Sequence, residues 1–172
     1  MAACKENASV ADVPTDQGCA LGQALAQAPL QLDSNQIAAV LPHRYPFALV
    51  DRIVDGEVGS WARGRLCVSA TAPYFCGHFL QYHVLPGVLI VEALAQTAAV
   101  AMLSAPENAG RLGFFAAIKD AKFRRQVRPG DVLELESRVT RVRGSFAFID
   151  AEARVDGEVA CTATLTLALE SK

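Results

Sequence analysis

Two side chains capable of acid–base chemistry, His78 and Glu92, lie fourteen residues apart near the middle of the sequence. Glu92 interrupts an apolar segment, where an ionised carboxylate is costly unless it is paired, hydrated or protonated. Burial favours the protonated carboxyl, which suits proton donation near neutral pH. The alternative is a structural carboxylate that reaches solvent at a subunit interface. Gln96, one helical turn later, shares the face of Glu92 and is placed to hydrogen-bond to it.

His78 ends an aromatic loop that precedes the apolar segment. A lone histidine beside aromatic residues is commonly structural, but its surroundings here favour chemistry. Gly77 lets the backbone approach a ligand closely, and Pro86-Gly87 opens a helix whose free N–H groups face the same region. A histidine, a buried carboxyl and a helix N-terminus supply a base, an acid and an oxyanion site.

The apolar segment 84–103 is either a membrane span or the buried centre of a folded domain. Pro86-Gly87 shortens the helix to about 17 residues, at the lower limit for a span. Glu92 lies inside it, and no Lys or Arg flanks either end closely. A helix that is apolar on all sides also suits a buried core. We therefore predict a central buried helix from Pro86 to Leu103 and no membrane span.

Strand-like runs lie on both sides of this helix and provide the sheet to cover it. The last run alternates with period two, as in a half-buried antiparallel strand. Asp55-Gly56 is predicted to be the turn of the first hairpin, and Asp33 or Ser34 to cap a short helix before Pro42. The predicted strands are 47–54, 57–70, 112–127, 131–143, 145–155 and 158–169. The fold class is therefore α+β, with a long antiparallel sheet of about five or six strands.

The composition favours one domain preceded by an extension. The chain has 172 residues, of which 52% are hydrophobic, and a formal net charge of -2. That charge gives no bulk attraction to nucleic acid or anionic lipid. Five cysteines without a CxxC pair oppose a disulfide framework and a zinc ribbon, and indicate a reducing compartment. We interpret residues 1–31 as a flexible extension of a cytoplasmic protein, and 32–172 as the domain.

Several motifs of the domain resemble the (3R)-hydroxyacyl-[acyl-carrier-protein] dehydratases of FabZ type. The spacing of His78 and Glu92 is that of this family, and the resemblance runs from about Asn35 to Leu169. The segments that carry it are PHRYPF at 42–47, LVDR at 49–52, GHF at 77–79, VLPGVLI at 84–90, EALAQ at 92–96, FAAI at 115–118, KFR at 122–124 and PGD at 129–131.

The resemblance implies a hot-dog fold, in which the sheet wraps around the central helix. Family members form dimers with sheets joined edge to edge, often three dimers to a hexamer, and both active sites lie at the dimer interface. By position, His78 would remove the C2 proton of a 3-hydroxyacyl thioester, and Glu92 of the partner would help the C3 hydroxyl leave as water. The Gly87 amide would hold the thioester carbonyl.

The same resemblance implies no metal and no dissociable cofactor, because the acyl chain arrives on the phosphopantetheine arm of an acyl carrier protein. Apolar candidates to line the acyl tunnel, for which core packing is the alternative, are Phe79, Leu89, Phe114 and Phe115. A basic cluster is compatible with docking of an acidic carrier protein, although a solvated strand face is the alternative. Its members are Lys119, Lys122, Arg124, Arg125 and Arg128.

The loop after His78 departs from the family pattern. Residues 80–83 read Leu-Gln-Tyr-His where the family has Pro-Gly-x-Pro, a change expected to loosen or redirect the loop. Phe114 stands in place of a frequent tyrosine, and Ala117 in place of a glycine. The resemblance implies dehydration in fatty-acid biosynthesis or in a specialised pathway, and these departures favour a specialised dehydratase acting on polyketide or polyene intermediates over the housekeeping enzyme. A catalytically weak partner subunit or carrier-binding module, and a related thioesterase, are the alternatives.

Overall fold

The computed structural model describes residues 29–170, which form six strands and two α-helices. The helices are α1 (Ser34–Val40) and α2 (Gly87–Leu103). The strands are β1 (Arg52–Glu57), β2 (Trp61–Cys67), β3 (Gly113–Phe123), β4 (Val132–Arg143), β5 (Phe146–Val155) and β6 (Glu158–Leu169). Short 3-10 helices lie at Pro73–Cys76 and Pro106–Asn108.

The strands form one antiparallel sheet in the order β1-β2-β4-β5-β6-β3. Helix α2 connects β2 to β3 and packs against one face of this sheet. Burial alternates along β5 and β6, because successive side chains of a strand point to opposite faces and only one face of the sheet packs against the helix. The predicted α+β architecture, a long antiparallel sheet wrapped around a central helix, is confirmed.

Helix α2 is buried along most of its length, as its apolar sequence predicted. Every residue from Ala93 to Leu103 is buried. Many of these side chains are alanines, which allow the sheet to approach the helix backbone closely. Within residues 29–170, no helix is both long enough and apolar enough to cross a membrane.

The predicted first hairpin is wrong. Asp55 and Gly56 lie inside β1, paired with Arg63 and Ala62, and the chain turns three residues later, where Gly59 has a φ of 78°. The Asp55 side chain accepts a hydrogen bond from the Gly56 amide, and the register shifts between Ile53 and Asp55. The bulge therefore lies just before Asp55, and the two residues that usually form a tight turn continue the strand after it.

Two other strands end earlier than predicted, because the residues that would extend them form hydrogen bonds with loop segments instead. The predicted strand 57–70 is reduced to β2, since Val68 exchanges backbone hydrogen bonds with the turn at Gly130 and Asp131. The predicted strand 112–127 ends at Phe123. Beyond it, the carbonyl of Val127 accepts from Leu85, the residue just before Pro86.

The free edge of β1 is covered by the start of the described chain. The amides of Leu30 and Leu32 donate to the carbonyls of Gly56 and Ile53. Leu30 is fully buried, so the core includes this residue of the segment interpreted as an extension. Residues 1–28 of that predicted extension lie outside the described residues.

Gly56 is expected to be intolerant of a side chain. A Cβ there would lie 2.7 Å from the Trp61 carbonyl oxygen and 3.0 Å from Ala62 Cα, so strand backbone would have to move. Gly56→Ala should lower the free energy of unfolding by about 1–3 kcal/mol, measured by urea denaturation. The control is Gly113→Ala, where a Cβ meets only Leu169 Cδ2 at 3.7 Å, with an expected change within about 0.5 kcal/mol. Equal stability of the two variants would contradict the steric argument.

Candidate active site

Glu92 lies in the second turn of α2, with its side chain 14% exposed. The predicted contact with Gln96 is confirmed, because Gln96 Nε2 donates to Glu92 Oε1 at 2.9 Å. This hydrogen bond offsets part of the cost of a carboxylate in apolar surroundings.

The Gln96 side chain is itself held by the loop that precedes β1. It is 1% exposed, its Oε1 accepts from the Leu49 amide at 2.9 Å, and its Nε2 also donates to the Phe47 carbonyl at 2.8 Å. Both amide protons and the carbonyl oxygen are therefore engaged. The side-chain amide has one orientation that satisfies all three partners, and that orientation presents a donor to Glu92.

His43 is a neighbour of Glu92 to which the sequence analysis assigned no role. Its Nε2 lies 3.4 Å from Glu92 Oε1, and its ring stacks on Phe47 with centroids 6.1 Å apart. His43 and Gln96 both approach Oε1, so within residues 29–170 the other oxygen, Oε2, is left free to exchange a proton. The motif that contains His43 was visible in the sequence, but its proximity to Glu92, 49 residues further on, arises only from the fold.

His78 is oriented by a backbone hydrogen bond. Its Nδ1 lies 2.9 Å from the carbonyl oxygen of Val84. A carbonyl can only accept, so Nδ1 carries the proton and Nε2 of the neutral ring is the atom available to take one. The Phe79 ring stacks on the imidazole at 4.2 Å, and the peptide bond between the two residues is cis. A free, unprotonated ring nitrogen is what general-base chemistry requires.

One chain does not bring the predicted base and acid into contact. Within residues 29–170, the hydrogen bond of His78 goes to Val84, the polar contacts of Glu92 go to His43 and Gln96, and none joins His78 to Glu92. No group of three or more His, Cys, Asp or Glu side chains in this part of the chain is arranged to hold a metal ion.

Gly87 begins α2, so its amide and that of Val88 have no acceptor within the helix. A Cβ at Gly87 would lie 2.8 Å from Cε1 of Phe123, so the absence of a side chain lets that ring lie against the helix N-terminus. The predicted oxyanion donor is therefore placed where a helix N-terminus offers free N–H groups.

The predicted tunnel residues are exposed or half-buried in the described chain. Phe114 and Phe115 are exposed on β3, Phe79 is exposed in the loop, and Leu89 is half-buried on α2. Phe114 is 56% exposed, and its strand β3 bonds only to β6 among the described strands. Their role as a tunnel stays a prediction.

The basic cluster divides into two groups. Lys119, Lys122 and Arg124 are exposed and form no ion pair within residues 29–170. Arg125 donates to Glu158 and to the carbonyl of Val155. Arg128 donates to the side chains of Tyr82 and Gln126. Docking of a carrier protein by these residues stays a prediction, and the last two also hold their own chain together.

Of the five cysteines, the described residues include Cys67, Cys76 and Cys161, all free thiols. Burial raises the pKa of the Cys161 thiol to about 11, which keeps it protonated and unreactive at neutral pH. Cys4 and Cys19 lie outside the described residues.

The FabA-like domain family matches residues 41–164. Curated 3-hydroxyacyl-[acyl-carrier-protein] dehydratases FabZ are similar to this chain over almost their whole length. The protein of Bacillus velezensis is 56% identical over 138 residues, covering 80% of this chain and 98% of that protein. The protein of Staphylococcus saprophyticus is 52% identical over 140 residues, covering 81% and 97%.

Solved structures with the same fold are more distant in sequence. The dehydratase heterocomplex ApeI:P from Xenorhabdus doucetiae has a TM-score of 0.68 and 20% identity, covering 79% of this chain and 91% of that chain. A hypothetical thioesterase protein with coenzyme A from Streptococcus pneumoniae has a TM-score of 0.54 and 13% identity, covering 70% and 85%. At these identities the likeness concerns the fold alone.

Removing the Gln96 amide should destabilise the fold. Gln96→Leu leaves the Leu49 amide and the Phe47 carbonyl without their partner, and each buried unpaired group costs about 1–3 kcal/mol. We expect the free energy of unfolding, measured in urea, to fall by on the order of 2–4 kcal/mol. Gln81→Leu, at an exposed loop position, should change it by less than about 0.5 kcal/mol. An unchanged urea midpoint for Gln96→Leu would refute the role of this network.

Proposed function

The chain belongs to the family of FabA-like domains, and we propose that it dehydrates 3-hydroxyacyl thioesters on acyl carrier protein with His78 as base and Glu92 as acid. The identity of 52–56% to FabZ dehydratases favours this activity over a weak partner subunit. The observation that carries the catalytic assignment is the orientation of His78 by Val84, which leaves Nε2 unprotonated. A preference for polyketide or polyene intermediates stays a prediction.

In the proposed reaction, His78 Nε2 removes the proton from C2 of a (3R)-3-hydroxyacyl thioester. The electron pair moves toward the thioester carbonyl, whose oxygen gains negative charge and accepts from the Gly87 amide. As the bond between C3 and the hydroxyl oxygen breaks, Glu92 Oε2 donates a proton and water leaves. The product is the trans-2-enoyl thioester. Return of a proton from His78 to Glu92 completes the cycle.

A second copy of this chain would complete the site. The β1 edge is covered by residues 30–32, whereas the eleven-residue β3 bonds only to β6 among the described strands and exposes Phe114, Phe115 and Ile118. A long edge strand with exposed apolar side chains favours pairing with another chain. Antiparallel pairing of two β3 strands would create a two-fold interface, across which His78 of one subunit faces Glu92 of the other. Three such dimers could form a hexamer.

The proposed substrate reaches this site on the phosphopantetheine arm of the carrier protein, without a dissociable cofactor. Lys119, Lys122 and Arg124 offer exposed positive charge on β3 and just after it. Complementary charge accelerates encounter with an acidic carrier protein and orients it. The tunnel for the acyl chain would form between subunits, lined by Phe79, Leu89, Phe114 and Phe115.

Loss of either catalytic group should abolish most of the turnover. His78→Ala and Glu92→Gln are each expected to lower kcat by about 10²- to 10⁴-fold, the range supplied by a positioned acid or base. Loss of water from 3-hydroxyacyl carrier protein is followed by mass spectrometry. Glu107→Gln, at an exposed carboxylate outside the proposed site, should retain full activity. A fully active His78→Ala enzyme would rule out the assigned base.

Sharing of the site between subunits can be tested with differently tagged chains. A heterodimer of His78→Ala and Glu92→Gln chains contains one intact shared site, so it should have about half of the wild-type rate per dimer. A chain that carries both substitutions, paired with a wild-type chain, should be inactive. The opposite pattern, activity only in the second heterodimer, would place both groups of each site in one chain.

A further inference from the structure

The loop between His78 and α2 lacks both prolines that the family pattern would place at positions 80 and 83. Proline fixes the backbone φ angle, so its absence leaves more conformations open to the loop. The imidazole of His78 is oriented by the Val84 carbonyl, which belongs to this same loop. Without these prolines, the position of the Val84 carbonyl depends on the noncovalent contacts of the loop.

Three side chains form a contact that spans from this loop to the segment after β3. Tyr82 donates its hydroxyl proton to Gln126 Oε1 at 2.8 Å. Arg128 Nη2 donates to the Tyr82 hydroxyl oxygen and, at 2.9 Å, to Gln126 Oε1. The Arg128 guanidinium also lies 5.0 Å from the centre of the Tyr82 ring, within range of a cation–π interaction. We call Tyr82, Gln126 and Arg128 the Tyr82 clamp.

The segment that carries Gln126 and Arg128 is itself firmly attached to the fold. Val127 is buried, and the Arg128 amide donates to Asp131 Oδ2 at 2.8 Å. The Gly130 amide donates to the Val68 carbonyl at 2.9 Å. A loop that bonds to this segment is therefore bonded to the sheet.

The Val84 carbonyl lies between two attachments to that segment. Tyr82 is attached through the clamp, and the Leu85 amide donates to the Val127 carbonyl at 2.8 Å. With both flanks held, the carbonyl that orients His78 has little freedom to move. Loss of the Tyr82 contacts would let the Val84 carbonyl shift, and the His78 ring would then turn so that Nε2 no longer points toward the substrate.

We propose that the Tyr82 clamp positions His78 for catalysis, by fixing the Val84 carbonyl in a loop that lacks the two prolines. Tyr82, Gln126 and Arg128 are then positioning residues for the dehydration. In this role Arg128 acts on the loop of its own chain. This inference rests on the proposed function, since it assigns the clamp to the base of that reaction.

The clamp is tested by kinetics on two substrates, a 3-hydroxyacyl carrier protein and the same acyl group on N-acetylcysteamine. Tyr82→Phe keeps the ring and removes the hydroxyl, and Arg128→Gln removes the guanidinium. Each should lower kcat about 3- to 10-fold on both substrates with KM little changed, as expected for loss of one or two hydrogen bonds. In the double variant kcat should fall by no more than it falls in the more affected single variant, because both substitutions break the same contact.

Two control variants separate the clamp from other roles. Gln126→Glu retains the acceptor oxygen and should retain kcat, whereas Gln126→Leu should lower it as Tyr82→Phe does. Arg124→Gln, at an exposed member of the basic cluster, should raise KM only for the carrier-protein substrate. If Arg128→Gln behaves like Arg124→Gln, or if Tyr82→Phe leaves kcat unchanged, the proposal is overturned.

Hydrogen exchange gives a readout that does not need turnover. The clamp predicts that Tyr82→Phe accelerates exchange of the Leu85 amide, whose acceptor is Val127, while amides inside α2 exchange at the wild-type rate. If the wild-type protein dehydrates neither substrate, the proposed function fails, and exchange still decides whether the clamp holds the loop. Unchanged exchange of Leu85 in Tyr82→Phe would overturn the structural part of the inference.

Discussion

Helix α2 is apolar along most of its length and buried from Ala93 to Leu103, so the rest of the chain must cover it and must also accommodate the carboxylate within it. The sheet covers the helix, and the Gln96 amide meets the second requirement by donating to Glu92. The same amide bonds to the backbone at Phe47 and Leu49, so the loop before β1 is attached to the helix through the group that satisfies the acid. The buried Gln96 side chain therefore both attaches the loop to the helix and orients the acid.

Both proposed catalytic groups are oriented by backbone that is fixed elsewhere in the fold. Glu92 is positioned from the side of the loop 42–51, through Gln96 and His43. His78 is positioned from the side of the segment 126–128, through Val84 and Leu85. Orientation of this kind lowers the reorganisation required during proton transfer, since each group already presents one free atom in a defined direction.

The two edges of the sheet differ, and this difference favours a shared active site. Residues 30–32 pair with β1, whereas β3 exposes phenylalanines and bonds only to β6 within the described chain. The helix N-terminus at Gly87 lies against the ring of Phe123, the last residue of that same edge strand. Pairing along β3 would bury apolar area and complete the tunnel, so the interface and the substrate site would form together.

The sequence alone predicted the central helix, an antiparallel sheet of about five or six strands and the two candidate acid–base residues, because a long apolar run, period-two alternation and a lone carboxylate are local signals. Local signals misplaced the first hairpin, where Asp55-Gly56 continues β1 after a bulge and the chain turns only at Gly59. Only the tertiary structure decided that His43 approaches Glu92, that Arg128 holds Tyr82, and that β3 is an edge. These features join residues tens of positions apart, and no periodicity or motif encodes which distant side chains meet once the helix has been covered.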